Sequence, residues 1–309
     1  MKFIRYPQLT PLQSPTVVTI GNFDGVHLGH QALINRVTSI AKEKQLQSVV
    51  VTMQPLASEY FNKTDKTVIL TPFKCKFNLI KQLSVDCMCV LNFNKDLSEL
   101  TAEEFIQRIL IRGLNAKHII VGDDFKFGKN RSGDVHVLKR YCQPLGMYVD
   151  SIDSVINDNC RISSSQIRND LSLGELEKVK NLLGRYFSIS GKVSKGQQLG
   201  RTLNFPTINI KLRKQDLPLS GIYCVKVRFD NSGEYNGAAS IGTRPTVGGV
   251  EKLLEVYILD FNKQVYGQNV EVLFYHKIRN EVKFDGLVEL KRHIKEDVIK
   301  TRLFFRNNI

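Results

Sequence analysis

Two architectures are expected in this chain of 309 residues: an α/β domain with a parallel sheet over residues 1–184, then a small antiparallel β-barrel or sandwich with a terminal helix over residues 185–309. Three observations predict them. In the first half, short β-branched runs alternate with helix-period patterns, the grammar of βαβ units and of a parallel sheet with helices on both faces. From about Phe187 the chain runs strand after strand without intervening helices, as an antiparallel all-β unit does. A composition of 42% hydrophobic and 24% charged residues supports cores of that size and excludes disorder, collagen and coiled-coil rods.

The elements follow in order. Val17-Val18-Thr19-Ile20 predicts a strand, Leu33, Ile34, Val37, Ile40 and Ala41 fall at helical spacing, and Val49-Val50-Val51-Thr52 predicts the next strand. Residues 87–91 read as a strand, and Thr101 with Glu104 as the capping box of a helix. Strands at 119–121 and around 147–149 complete the α/β half, whose ligand belongs at the carboxyl ends of the strands. In the second half Tyr223, Val225, Val227 and Phe229 alternate with Cys224, Lys226 and Arg228, a half-buried antiparallel strand. Residues 256–259 and 270–275 read similarly, and Leu287, Leu290, Ile294 and Val298 mark the closing helix. The change of grammar sets the boundary near Gly184-Arg185-Tyr186.

Lys and Arg number 44 against 30 Asp and Glu, a net charge of +14 that favours polyanionic partners such as nucleotides, nucleic acid or acidic headgroups. The positive residues are scattered rather than blocked, so a solvated basic surface accounts for much of this excess. No long apolar stretch suggests a leader or a membrane helix, and an intracellular, cytoplasmic protein without membrane contact is expected. The six cysteines contain no C-x-x-C, which speaks against a zinc knuckle or a redox pair and for buried free thiols.

The densest chemistry lies between the first strand and the first helix, in Thr19-Ile20-Gly21-Asn22-Phe23-Asp24-Gly25-Val26-His27-Leu28-Gly29-His30. Glycines there leave backbone N–H groups free to meet a phosphate at a helix amino end. His27 and His30, one helical turn apart, project from the same side of that end. Gly29 removes a side chain that would crowd an approaching nucleotide. Two imidazoles and a helix dipole aimed at one point suit the charge that builds on a phosphoryl oxygen in nucleotidyl transfer. Neither a P-loop nor a G-x-G-x-x-G turn occurs, which argues against a dinucleotide-dependent dehydrogenase.

In the second half, Gly196 and Gly200 allow backbone to approach phosphates, and Pro206-Thr207-Ile208-Asn209 follows them. On an extended strand Thr207 and Asn209 share a face. Their neutral, hard oxygens suit Mg²⁺ bridging the phosphates of ATP, with Ile208 turned away.

The 21–30 segment resembles the G-x-F-D-G-V-H-x-G-H form of the H-x-G-H nucleotidyltransferases, as found in prokaryotic bifunctional riboflavin kinase/FAD synthetases. Val121-Gly122-Asp123-Asp124-Phe125-Lys126-Phe127-Gly128 resembles that family's V-G-x-D/N-F-x-F-G loop, and Arg161-Ile162-Ser163-Ser164-Ser165-Gln166-Ile167-Arg168 its S-S-T-x-I-R motif. Residues 206–209 are similar to the P-T-A-N signature of the riboflavin kinase module, and 241–246, 254–260 and Tyr266-Gly267 also match it. Thr52-Met53-Gln54-Pro55-Leu56 stands where the family has T-F-E-P-x-P, a departure that bears on how the flavin is held.

The resemblance covers roughly residues 14 to 305 in the family's motif order. It implies a Rossmann-like nucleotidyltransferase domain that adenylylates FMN to FAD, followed by a β-barrel that phosphorylates riboflavin to FMN, with ATP as co-substrate and Mg²⁺ as cofactor. It assigns catalysis to His27, His30, Ser164, Ser165, Arg168 and Glu255, with Glu255 as the base. It assigns ATP binding to Gly21, Asn22, Phe23, Asp24, Gly25, Asp124, Arg161, Gly196, Gly200, Thr207 and Asn209, the last two holding the metal. Phe125 or Phe127 stacks on the isoalloxazine ring. The expected partners are riboflavin, FMN and ATP, not nucleic acid, in a monomer or weak homo-oligomer. Two alternatives stand beside this reading: an H-x-G-H enzyme acting on another phosphorylated substrate, and a non-catalytic flavin- or RNA-binding regulator.

Overall fold

The computed structural model describes all residues except 7–10, 62–67, 158–159, 197–198, 212–216, 231, 247–248 and 309. Its contacts divide the chain into two compact units, Met1–Ser164 and Ser165–Ile309.

The first unit is built on six parallel strands, β1 (Lys2–Tyr6), β2 (Thr16–Ile20), β3 (Gln47–Met53), β4 (Cys87–Leu91), β5 (Ala116–Gly122) and β6 (Tyr148–Ile152), in the order β1-β4-β3-β2-β5-β6. Alternate residues of the central strands feed two cores, as a sheet covered on both faces requires. Val18, Ile20, Val49, Val51 and Cys89 pack with Ile109, Leu110 and Leu138 on one face. Val17, Val50, Met88 and Val90 pack with Ile34, Val37 and Ile40 of the Leu28–Glu43 helix and with Ile80 on the other. Burying each such branched side chain contributes about 1.5–3 kcal/mol. The Thr101–Glu104 capping box forms as expected, and the helix it opens continues as a π-helix over Ile106–Gly113.

Strand β1 was not legible: its Lys2 and Arg5 are exposed, the residue choice that protects a sheet edge from further pairing. The strand order also locates the site. The chain leaves β2 for β3 and β4 on one side, then returns to place β5 on the other side of β2. Such a reversal opens a crevice at the carboxyl ends of β2 and β5. A short antiparallel pair, β7 (Ile156–Asn157) and β8 (Cys160–Arg161), follows the sheet.

In the second unit, β9 (Ser188–Ser194), β10 (Thr207–Lys211), β11 (Gly221–Phe229), β12 (Ser232–Thr246), β13 (Gly249–Ile258) and β14 (Asn269–Arg279) form a closed antiparallel barrel in the order β10-β13-β12-β11-β14-β9. Closure, which removes free edges, comes from β9 pairing with both β10 and β14. The Ser164–Leu173 and Leu176–Leu183 helices precede the barrel, and the second of them packs on β14.

The β11 alternation holds, but Cys224 on its outer face is buried as well, because the Leu287–Asn308 helix covers it. Of the apolar stripe expected from sequence, Leu290, Ile294 and Val298 are half-buried on the docking face. Leu287 is 57% exposed, and the deepest residues are Asp297, Thr301 and Phe305. A polar contact joins the apolar ones: Arg279 of β14 meets Asp297 in a bidentate pair, with Nη2 to Oδ2 at 2.7 Å and Nε to Oδ1 at 3.0 Å. The Thr301 hydroxyl donates to the Asp297 carbonyl at 2.8 Å.

Of the cysteines whose side chains are described, Cys87, Cys89, Cys142 and Cys224 are buried free thiols and Cys75 is half-buried. Burial pushes Cys87, Cys142 and Cys224 up to about 11 and Cys89 to about 12, so they stay protonated and unreactive near neutral pH.

Asp297→Ala leaves the Arg279 guanidinium without its carboxylate, a loss of about 3 kcal/mol. Amides of the terminal helix then exchange with solvent roughly a hundredfold faster, while those of the parallel sheet are unchanged; equal protection in both variants would show that the pair does not hold the helix.

Candidate active sites

In the first unit the loop after β2 is built around a difficult backbone. Gly25 has φ +88°, and both Phe23 (φ +48°) and Val26 (φ +42°) lie in the left-handed region that a branched or bulky residue avoids. Such strain persists only where the surroundings over-determine it. Asp24, 2% exposed, does this: Oδ1 accepts from the Thr71 amide at 3.0 Å and Oδ2 from the Leu70 amide at 3.1 Å. Its own carbonyl accepts from the Ser164 hydroxyl at 2.8 Å. The carboxylate is thus engaged in holding the loop. Phe23, 1% exposed, is likewise a core residue that can offer only backbone to a ligand.

The loop delivers His27 as the N-cap of the Leu28–Glu43 helix, its Nδ1 accepting from the His30 amide at 3.3 Å. The two imidazoles stack, centroids 3.6 Å apart and planes 18° from parallel, and Phe23 meets the His30 ring edge-on at 5.2 Å. A Cβ on Gly29 would lie 3.2 Å from the His27 ring, so this glycine makes room first for the histidine rather than for an incoming nucleotide. His30 Nδ1 is buried with no protein partner among the described residues. Burial, followed by the neighbouring His27 and the Lys76 ammonium, lowers the His30 pKa well below the usual imidazole range. The ring is therefore neutral at pH 7, a directional donor rather than a second cation.

Opposite this loop, at the end of β5, Arg161 pairs with Asp124 (Nη2 to Oδ2, 2.5 Å) and lies 3.7 Å from Asp123, which also accepts from the Ser154 hydroxyl at 2.8 Å. Two residues expected to bind ATP thus hold each other. Phe127 is 4% exposed in the core, stacked under the half-buried Phe125 at 5.4 Å, so of the two only Phe125 has a face to offer. Ser164 opens its helix, which carries the exposed Ser165 and, one turn on, the half-buried Arg168.

Two groups escaped the sequence reading. Tyr60, Phe61 and Phe93 form an edge-to-face triangle with centroids 5.3–5.6 Å apart, just beyond the carboxyl ends of β3 and β4, and Phe61 is 65% exposed. Lys76, 4% exposed, donates its Nζ to the Asn22 carbonyl at 2.7 Å. The aromatics carry no spacing signal, whereas Lys76 falls three residues after Phe73 and four before Ile80, on the apolar face of its helix, a position that marks it although its residue type does not.

In the barrel, Asn209 of β10 pairs in register with Glu255 of β13, and Thr207 with Tyr257, so all four side chains stand on the same face. Glu255 is also opposite Ser240 of β12. Ile208 falls opposite the buried Val256, on the barrel's inner face, which keeps it away from Thr207 and Asn209 as expected. Asn209 is 5% exposed because the preceding loop lies on it: a Cβ on Gly196 would sit 2.4 Å from Asn209 Cγ. A Cβ on Gly200 would strike the Phe205 carbonyl and come within 3.4 Å of Thr207 Oγ1. Both glycines therefore serve the close approach of backbone to these oxygens. Among the described residues no group of three His, Cys, Asp or Glu could hold a metal.

The low pKa of His30 has a sign that can be tested in stability. Below about pH 6.5 the unfolded chain binds a proton that the native ring refuses, so stability falls as pH drops from there toward the native value, by up to about 1.4 kcal/mol per pH unit. His30→Gln removes this contribution from the pH slope measured by urea unfolding; an unchanged slope would mean that His30 is protonated in the native state.

The FAD synthetase family model matches residues 9–166 and the riboflavin kinase family model residues 183–305. The bifunctional riboflavin kinase/FMN adenylyltransferase of Haemophilus influenzae is 40% identical over 94% of each chain, and that of Escherichia coli 38% identical over 95% of this chain and 94% of that one. A crystal structure from Streptococcus pneumoniae, named as a macrolide-efflux protein, superposes with a TM-score of 0.85 at 30% identity, covering 98% of this chain and 99% of that one. Among the described residues no helix is long and apolar enough to cross a membrane. The chain is an enzyme with riboflavin kinase and FMN adenylyltransferase domains and belongs to the bifunctional riboflavin kinase/FMN adenylyltransferase family.

Proposed function

We propose that the two reactions run on the two sets of residues described above, riboflavin kinase on residues 185–309 and FMN adenylyltransferase on residues 1–184, in the cytoplasm. The register of Asn209 with Glu255 carries the first assignment. The ribityl hydroxyl of riboflavin is a neutral nucleophile, so its proton must go to a base as the γ-phosphoryl of ATP is transferred. Glu255 takes that proton, and FMN and ADP result. The neutral oxygens of Thr207 and Asn209, under a loop that only glycines let close, are donors suited to Mg²⁺ together with ATP phosphates. The ion supplies charge neutralisation on the phosphates.

The stacked, N-capping histidine pair carries the second assignment. FMN brings an already ionised phosphate that attacks the α-phosphorus of another ATP, so the site needs no base. It needs donors where charge accumulates, and the neutral His30 and the helix amino end are such donors. Ser165 and Arg168 are assigned with Ser164 to the departing pyrophosphate on the strength of the motif. FAD and pyrophosphate result. The exposed Phe61 of the Tyr60–Phe61–Phe93 triangle, with Phe125, offers flat surface to the isoalloxazine ring, in place of the aromatic that the family has where this chain has Met53.

His30→Ala lowers FAD formation on the order of 100- to 1000-fold while FMN formation from riboflavin continues. Glu255→Gln lowers FMN formation roughly 100-fold or more and leaves conversion of supplied FMN intact. Chromatography of flavins in time courses with ATP and Mg²⁺ reads both, and equal damage to both steps by either change would sink the two-site assignment. Phe61→Ala raises KM for FMN in the adenylyl step about 2- to 10-fold, the range of one aromatic stacking contact, with kcat nearly constant; an unmoved KM would take Phe61 off the flavin.

A further inference from the structure

Lys76 takes no part in either motif, yet it is the buried cation of the first site. It lies on the Phe73–Gln82 helix, 4% exposed, with its Nζ 2.7 Å from the Asn22 carbonyl. A lysine is seldom buried to this degree unless its charge has work to do. The charged and titratable groups facing it come from three elements: Asp24 from the loop after β2, Glu59 from the Ala57–Phe61 helix, and His30 of the Leu28–Glu43 helix, backed by His27. Asp24 is engaged with the Leu70 and Thr71 amides, and Glu59 accepts from the Leu56 amide at 2.7 Å.

We propose that Lys76 is a positioning residue for adenylyl transfer: its ammonium ties the Asn22 carbonyl into the strained loop and sets a fixed positive charge beside the His27/His30 stack. This rests on assigning the transfer to that stack. The carbonyl of Asn22 is at the mouth of the crevice, directly after Gly21 at the end of β2, where an anion arrives. It also accepts from the Thr52 hydroxyl at 3.2 Å, but only Lys76 sets a positive charge against the negative end of this dipole, where it would otherwise oppose an incoming phosphate. The same charge adds to burial and to His27 in keeping His30 unprotonated, so the ring keeps its donor geometry as pH falls.

The test uses the full chain with K76Q and K76R, following FMN to FAD and riboflavin to FMN between about pH 5 and 8. K76Q lowers kcat for FAD formation roughly 10- to 100-fold, the effect of losing one hydrogen bond from a charged group, and moves its acid limb to higher pH. K76R, which keeps charge and donor, recovers most of the rate and the original limb, and riboflavin phosphorylation is the same in all three. A K76Q enzyme with wild-type FAD formation, or a K76R enzyme no better than K76Q with an unmoved limb, overturns the proposal. If the unmodified chain forms no FAD, the assignment of the transfer fails instead. The Lys76 inference is then decided by the His30 ring titration in ¹⁵N NMR, which must rise in K76Q and not in K76R. Should K76Q not fold, K76M serves in the same comparison.

Discussion

Everything at the nucleotide end of the parallel sheet depends on where one helix begins. Because His27 caps the Leu28–Glu43 helix through its own ring nitrogen, the imidazole is fixed by the same contact that starts the helix, and His30 one turn later falls onto its face. The strained turn at Phe23, Gly25 and Val26 sets that starting point at the end of β2. The Asp24 carboxylate and the Lys76 ammonium keep the turn from relaxing, one by binding amides of residues 70 and 71, the other by binding the Asn22 carbonyl. Catalytic geometry here is a consequence of capping and backbone strain, and the buried charges explain why the strain persists.

The barrel reaches the same end by a different physics. No helix terminus is needed, since strand register alone sets Asn209 against Glu255 and Thr207 against Tyr257. A slip of one residue would turn all of them inward, and the closed barrel, with every strand paired on both sides, prevents it. The glycines of the overlying loop then let its backbone lie against Asn209 and Thr207. On the assignment proposed above, an already ionised nucleophile in one reaction and a neutral hydroxyl in the other account for why a carboxylate base is called for only in the barrel.

Much of this was legible in the sequence because it is local. The β2–helix–β3 unit, the Thr101 capping box, the β11 alternation and the histidine pair each announce themselves within a dozen residues. What was not legible depends on partners distant along the chain. Lys2 and Arg5 look like an unstructured start until β4 is beside them. Phe23, Asp24 and Phe127 look like ligand contacts until their burial is known. Lys76 carries a charge that argues for the surface although it sits on the apolar face of its helix, and Leu287, on the same side of the terminal helix as the buried Phe305, is exposed at the helix start. Polar groups with tertiary partners defeat pattern reading, since their residue type argues for exposure where their position argues for burial.

The central claim, a neutral His30 stacked on the capping His27 at a helix amino end and waiting for a phosphate, is tested most directly by ¹⁵N NMR of the imidazole nitrogens in the full chain. Its account predicts that His30 remains uncharged on acidification well past the ordinary imidazole range and that its Nδ1 resonance moves when FMN and a non-hydrolysable ATP analogue bind. A His30 that protonates near pH 6.5, or ring nitrogens indifferent to both ligands, would contradict it.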